Sequence, residues 1–384
     1  MNKKKKIISY VATVLITSVI SVTATASIMT NFGKNALVPR SFVDEYGKLY
    51  LLQNEIESQF YKKVDNKKLQ ESAYKGLFAG LDDVYSAYFT KEEMDKLTEQ
   101  TSGEYVGLGI VVAPDKKANA IRVIGVFPNS PASKSGVKPG DLIVSVNGKK
   151  YGYQELDVAV KNMKGEEGSP VKVKFSRDGK DFVKDIKRAK IVMESVAGKV
   201  IDNNIGYIRI VGFEDNTAKE FEKTLNNLKK QNIKGLIIDL RDNGGGLLTS
   251  VNKIADDLLG EGVVVYTEDR SGEKTYYRSS SLRMVDLPIV VLTNNYTASA
   301  SEILTGAIRD NKAGISIGTT TFGKGVVQSV YTLPDGTGYK VTTSQYFTPS
   351  GKSINKKGIK PDIVVTDKDK QLPEAIKYLK EHMK

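Results

Sequence analysis

From Lys199 onward, short apolar runs alternate with stretches of helical period, and this alternation restricts the fold more than any other feature of the chain. Gly235–Leu240 and Ile289–Leu292 are apolar at nearly every position. A strand with one wet face alternates, so unbroken runs of this kind imply burial on both faces. Thr217–Lys230 places Phe221, Leu225 and Leu228 on one helical face. Ile205–Ile210 and Val263–Tyr266 read as further strands, and Leu247–Leu259 and Ser299–Arg309 as further helices. Strands separated by helices predict an α/β domain with a mostly parallel sheet. In such sheets the chemistry gathers in the loops beyond the strand carboxyl ends.

The upstream chain has a different character. Between Gly103 and Lys190 the runs Gly109–Val112, Ile121–Val126, Leu142–Val146 and Val171–Phe175 are separated by turn signals such as Pro139-Gly140-Asp141 and Asn147-Gly148. Helices are expected at Ser130–Ser135 and Tyr153–Met163. This is a compact β module. Ser41–Tyr61, with Phe42, Tyr46, Leu49, Ile56 and Phe60, and Lys67–Leu81 read as amphipathic helices. Such helices pack on their own chain or on a second copy, and both readings stay open. Leu81-Asp82-Asp83-Val84-Tyr85-Ser86 has the composition of a turn. Lys3 to Lys6 precede an uncharged stretch, Ile7 to Gly33, with Ala24-Thr25-Ala26 as a cleavage-like site. This is an export segment, either cleaved or retained as a membrane anchor. The lysines place the rest of the chain outside the cell. The expected organisation is therefore an export segment (1–34), a helical region (35–95), a β module (96–185) and an α/β core (190–384) with a C-terminal tail helix.

Composition removes several classes of chemistry. The 384 residues include no Cys, and the one His is His382, third from the end in a tail expected to fray. Thiol nucleophiles, thiolate metal sites and a Ser-His-Asp triad are excluded or improbable on this count. A covalent hydrolase built from this chain needs another base, and lysine has the precedent. The net charge of +12 comes from dispersed lysines, without a zinc-finger, basic-zipper or RNA-binding pattern, so nucleic acid is not an expected partner.

Three loops follow apolar strands in the core. Leu240-Arg241-Asp242-Asn243-Gly244-Gly245-Gly246 offers a nest of backbone N–H groups for an oxyanion or phosphate, or is simply a generous turn. No G-K-[ST] follows, so it is not a P-loop. The second loop ends in Thr297-Ala298-Ser299-Ala300-Ser301-Glu302. Ser299 at a strand-to-helix turn suits a nucleophile, yet S-x-x-E is also a capping box. The third, Thr321-Phe322-Gly323-Lys324-Gly325-Val326-Val327-Gln328, sets a lysine between two glycines that let the backbone approach something closely. Gln328, four positions on, is expected to share a face with Lys324.

Together, T-A-S-A-S-E-I (297–303), T-F-G-K-G-V-V-Q (321–328), L-R-D-N-G-G-G-L-L (240–248) and G-I-K-P-D-I-V-V (358–365) resemble the carboxy-terminal processing, or tail-specific, serine peptidases. The β module, with Tyr105-Val106-Gly107-Leu108-Gly109-Ile110, Ser130-Pro131-Ala132 and Lys138-Pro139-Gly140-Asp141, looks like a PDZ domain. The resemblance implies Ser299 as nucleophile, Lys324 as general base and Gln328 as its positioning residue. It implies an oxyanion hole from the N–H groups of Gly245 and Ala300, with no metal or cofactor. Gly107, Leu108, Gly109 and Ile110 would bind the C-terminal carboxylate of a protein substrate; the alternative is a PDZ fold used only as a scaffold. A lysine base must fall from about 10.4 toward neutrality, which requires burial. Three positions depart from the family pattern: Gly244 replaces a proline, Lys164 an arginine before Gly165, and Lys352 an arginine near the C-terminus. The rival expectation is a catalytically silent PDZ-bearing scaffold that binds protein tails. A wall-binding protein is a third.

Overall fold

The computed structural model describes residues 40–280 and 284–383. The export segment expected at 1–34 lies outside them. The chain forms two compact units, Met1–Gly76 and Leu77–Lys384. In the first, helix α1 spans Arg40–Gln59, and helix α2, Asn66–Ala79, begins. None of the described hydrophobic residues of this unit is buried, and Leu49 and Ile56 stand exposed on α1. Among the described residues no helix is long and apolar enough to cross a membrane.

The second unit opens with strand β1 (Ala87–Phe89) and helix α3 (Lys91–Ser102). Helix α3 starts at a full capping box. Thr90 Oγ1 accepts from Glu93 N–H at 3.3 Å, and Glu93 Oε2 accepts from Thr90 N–H at 2.8 Å.

The β module follows as β2 (Glu104–Gly107), β3 (Ile110–Asp115), β4 (Ala120–Val126), α4 (Pro131–Lys134), β5 (Leu142–Val146), β6 (Lys149–Lys150), α5 (Leu156–Met163), β7 (Pro170–Arg177), β8 (Lys180–Lys187) and β9 (Ala189–Val192). Its sheet runs β3-β4-β5-β7-β8, with β6 beside β5, so β3 is an edge strand. Ile121, Val123, Ile143, Val173 and Phe175 are buried against Ala159 and Met163 of α5. The expected helix at Tyr153–Met163 is instead a 3-10 turn, Tyr153–Glu155, leading into α5. Strand β8 escaped the sequence reading because its alternation, Phe182 and Ile186 among lysines and aspartates, is that of a charged edge.

The core contributes β10 (Val196–Ile201), β11 (Ile205–Ile210), α6 (Thr217–Lys229), β12 (Gly235–Asp239), α7 (Leu248–Leu258), β13 (Gly262–Asp269), β14 (Lys274–Ser279), β15 (Ile289–Thr293), α8 (Ala300–Asp310), β16 (Gly314–Gly318), β17 (Val326–Thr332), β18 (Gly338–Phe347), β19 (Ile363–Val364) and α9 (Lys368–His382). The main sheet runs β10-β11-β12-β15-β16-β19, parallel except for β10. Every residue of β12 and β15 is buried. Leu236, Ile238 and Val291 pack with α6, α7 and α8, while Ile237, Val290 and Leu292 face Ala375 and Leu379 of α9. The unbroken apolar runs are the consequence of that two-sided burial.

The one charge in β12, Asp239, is 0% exposed and answered by the Arg241 fork, at 2.9 and 2.6 Å, and by the Tyr207 hydroxyl at 2.7 Å.

One expectation needs correcting. The strand at Val263–Tyr266 does not join the parallel sheet. As β13 it belongs to a second, antiparallel sheet, β1-β18-β13-β14 with β17 on β18. Periodicity detects a strand but not the sheet that takes it up.

Candidate active site

The three loops singled out in the sequence leave the carboxyl ends of β12, β15 and β16 side by side. The first two are laced together by Ala298 N–H to Asn243 O (3.0 Å), Ser301 Oγ to Asn243 O (3.1 Å) and Thr297 Oγ1 to Leu240 O (2.9 Å). A Cβ on Gly245 would lie 2.8 Å from Ser299 Cβ and 3.0 Å from Ala300 N, so only glycine permits this approach.

Ser299 sits at φ 56°, ψ −118°, a conformation that costs a non-glycine residue about 1–3 kcal/mol. What holds it is Glu302. This carboxylate, 0% exposed, accepts Ser299 N–H at 2.9 Å, as the capping-box pattern predicts. The other half of the box is replaced. Glu302 N–H bonds the Ser299 carbonyl at 2.8 Å, and no cap hydrogen bond occupies the Ser299 hydroxyl.

Glu302 also accepts Thr321 Oγ1 (2.5 Å), Gly323 N–H (2.8 Å) and Lys324 N–H (2.9 Å). One buried carboxylate thus fixes the backbone of both the serine and the lysine. Burial pushes its carboxyl up, opposed by the Thr321 hydroxyl and the three N–H groups. A second tie comes from the other sheet. The buried Tyr346 hydroxyl of β18 reaches the carbonyl oxygens of Ser299, at 3.1 Å, and of Lys324.

The two glycines beside Lys324 let the loop lie against residues 354–358. A Cβ on Gly323 would be 2.8 Å from Gly358 N, and one on Gly325 would be 2.5 Å from Asn355 N. Burial brings the Lys324 ammonium down from its ordinary value, helped by the Lys340 charge and opposed by Asp83 and Glu302. Its Nζ lies 4.7 Å from the centre of the Tyr85 ring. This is the partly dry environment that a lysine base requires.

Two expected partners are otherwise engaged. Gly245 N–H donates to Asn243 Oδ1 at 2.8 Å, within its own loop. Ala300 N–H stands at the first turn of α8, where helix donors lack intrahelical acceptors. Gln328 lies on β17 beyond a bulge between Val327 and Gln328, so the simple face-sharing argument does not carry from Lys324. Its side-chain hydrogen bond goes to Thr342 Oγ1 at 3.2 Å, not to Lys324. His382 ends α9, bonded to Tyr378 O at 2.7 Å and stacked on the Tyr378 ring, rather than trailing in a frayed tail.

In the β module, Gly107, Leu108, Gly109 and Ile110 line a cavity of about 260 Å³ with Met163 and Lys164. The carbonyls of Leu108 and Gly109 are held by Ala132 N–H and Phe127 N–H, both at 3.0 Å. Planar trans peptides then turn the N–H groups of Gly109 and Ile110 the opposite way. Gly109 has φ +74°, and a Cβ there would be 2.3 Å from Ser130 Cβ. At the rim, Lys164 Nζ pairs with Glu99 of α3 and sits 5.3 Å from the centre of the Tyr105 ring.

Thr321, Tyr346 and Tyr85 were not assigned roles from sequence, and Glu302 was read only as the acid of a capping box. Glu302 alone of the four left a local signal, the S-x-x-E spacing from Ser299.

Comparison with known proteins decides the family. The "Carboxy-terminal processing protease CtpA" of Bacillus subtilis (strain 168) is 36% identical over 356 residues, covering 91% of this chain and 75% of that protein. The chain belongs to the carboxy-terminal processing peptidases. Within this processing peptidase, residues 204–365 match Peptidase family S41, 106–187 a PDZ domain, and 14–93 the "Activating protease CtpB N-terminal domain". The "Carboxy-terminal processing protease CtpB" of the same organism is 36% identical over 333 residues, 85% of the processing peptidase and 68% of the relative. A solved photosystem II D1 C-terminal processing protease superposes with a TM-score of 0.50 at 30% identity, over 84% of this chain and 88% of that one. The processing peptidase is therefore a serine-type peptidase with a PDZ domain.

Proposed function

We propose that this peptidase selects protein substrates by their C-terminal tails in the PDZ groove and cleaves them with Ser299 and Lys324. The observation that carries the reading is the shared carboxylate: Glu302 accepts N–H groups from both Ser299 and Lys324. A tail carboxylate would meet the N–H groups of Gly109 and Ile110, and its extended chain would add along the open edge of β3. Neutral Lys324 takes the Ser299 hydroxyl proton as Oγ bonds to the scissile carbonyl carbon. The oxyanion is received by Ala300 N–H and by Gly245 N–H once it leaves Asn243. Collapse breaks the C–N bond, and the leaving amine takes the proton from Lys324. Water, deprotonated by the same lysine, then attacks the acyl carbon; the Oγ–C bond breaks and Ser299 Oγ takes the proton back from Lys324. Gln328 orients Lys324.

The lysine-led apolar start supports an extracytoplasmic location, secreted or anchored through residues 7–33. The exposed apolar face of α1 supports a homodimer through the N-terminal helical region.

The test is a panel of proteins differing only in their last residues, with products read by mass spectrometry. Cleavage should depend on the tail and vanish in Ser299→Ala and Lys324→Ala. Tail-dependent binding without cleavage by wild type would make the chain a silent scaffold instead. Cleavage surviving in Ser299→Ala would refute the mechanism.

A further inference from the structure

The turn Leu81–Ser86 has no part in the mechanism above, yet it enters the site. Strand β1 pairs with β18, Ala87 opposite Lys340, and this ladder draws the turn over Thr342. Ser86 Oγ accepts Thr342 N–H at 3.0 Å. Asp83 Oδ2 accepts two hydroxyls, Ser86 Oγ and Thr342 Oγ1, each at 2.6 Å. Thr342 lies directly across the ladder from Gln328, and Gln328 Nε2 donates to Thr342 Oγ1 at 3.2 Å.

The polarity of this chain is forced from its Asp83 end. An ionised carboxylate only accepts, so the single hydroxyl proton of Thr342 is spent on Asp83. Thr342 Oγ1 then has only lone pairs for Gln328, which must present its NH2. The amide oxygen Oε1 is left as the free end. An ammonium has only donors, and the neutral amine keeps its one lone pair for the Ser299 proton, so only that oxygen can engage Lys324. A flipped amide would set donor against donor.

We infer that Asp83, acting through Thr342, fixes the orientation of the Gln328 amide and is a positioning residue for the Ser299/Lys324 reaction. The inference rests on the reading that Gln328 orients Lys324. The surroundings of Asp83 favour its ionised form. Burial pushes its carboxyl up, but the hydroxyls of Ser86 and Thr342 and the N–H groups of Tyr85 and Ser86 outweigh that and hold it below the usual carboxylate range. Tyr85 of the same turn supplies the ring beside Lys324 Nζ. The charges that act on Lys324 are thus Lys340 from β18, Glu302 from α8 and Asp83 from this turn.

The test measures kcat, KM and the pH profile of the full chain on whichever panel substrate wild type cuts fastest. Asp83→Asn and Thr342→Val should each lower kcat about tenfold or more, within the range that acid–base placement commands, while KM changes little. The double variant should lose no more than the worse single one, because both break one chain. Thr342→Ser, which keeps the hydroxyl, should recover most of the loss. In Asp83→Asn the rising limb of the pH profile should move to lower pH, since Lys324 loses a nearby anion and an amide oxygen together. Wild-type kcat in Thr342→Val, additive losses, or no recovery by serine would overturn the inference. Should Asp83→Asn fail to fold, as judged by its melting transition, the Thr342 pair decides alone. Gln328→Ala separates the two levels. If it is impaired while the Asp83 and Thr342 variants are not, only this inference falls. If it turns over like wild type, the role of Gln328 falls first.

Discussion

Lys324 carries conflicting demands. Burial depresses its ammonium, so the folded state favours the neutral amine that catalysis needs. Turnover should therefore rise with pH along a limb lying below the ordinary lysine value of about 10.4. Stability follows the same sign. Between the depressed folded value and about 10.4, the unfolded chain binds the extra proton, so this contribution grows as pH climbs. Lys324→Met should abolish cleavage and yet raise the unfolding midpoint at neutral pH, in thermal melts across a pH series. An unchanged midpoint would mean that the ammonium is not penalised in the fold. Glu302→Gln tests the other buried group. Its amide would present an NH2 to a set of four donors. A loss of about 1–3 kcal/mol is expected in denaturant titration, with kcat down at least about tenfold. Wild-type values in both would show that the carboxylate does not hold the loops.

At the level of elements, β18 connects the two sheets of the core and delivers Tyr346 to the carbonyls of Ser299 and Lys324. Tyr346→Phe leaves those buried acceptors short of a donor, worth about 1–3 kcal/mol. Peptide binding by the PDZ module should be untouched while kcat falls. The reverse dissection uses the β2–β3 turn. Gly109→Ala places a Cβ against Ser130 in a left-handed backbone. It should abolish tail binding in fluorescence titrations, while Ser299 still reacts with a small phosphonate. Loss of that labelling would mean that the PDZ turn also shapes the serine site. The strand β18 itself was not legible, because Gly338–Phe347 mixes Lys, Thr, Ser and Gln with few large apolar residues. The parallel strands were legible because two-sided burial leaves an apolar run that no exposed element could tolerate.

For the whole molecule, the described residues of the N-terminal unit form helices whose apolar side chains are exposed or half-buried, none of them buried. A second copy of the chain is the proposed cover. Leu49→Asp with Ile56→Asp, two turns apart on α1, should convert a dimer to a monomer in sedimentation velocity. A wild-type chain that sediments as a monomer at micromolar concentration would remove the proposal.

The sequence by itself determined the α/β core, a compact β module and the three strand-end loops, because glycine spacing, apolar runs and strand-end position are local properties; resemblance of its motifs identified that module as a PDZ domain. It also narrowed the base to lysine, since the chain has no Cys and one His near its end. Only the tertiary structure decided what those loops are tied to. Glu302 reads as a helix cap until Thr321, Gly323 and Lys324 converge on it. Gln328 reads as sharing a face with Lys324 until a bulge displaces it and a cross-strand Thr342 takes its NH2, leaving the amide oxygen free. Asp83 and Thr342 stand 259 positions apart. A hydrogen bond across that distance leaves no local pattern in the chain, because nothing in one segment's periodicity depends on which hydroxyl the fold brings to it.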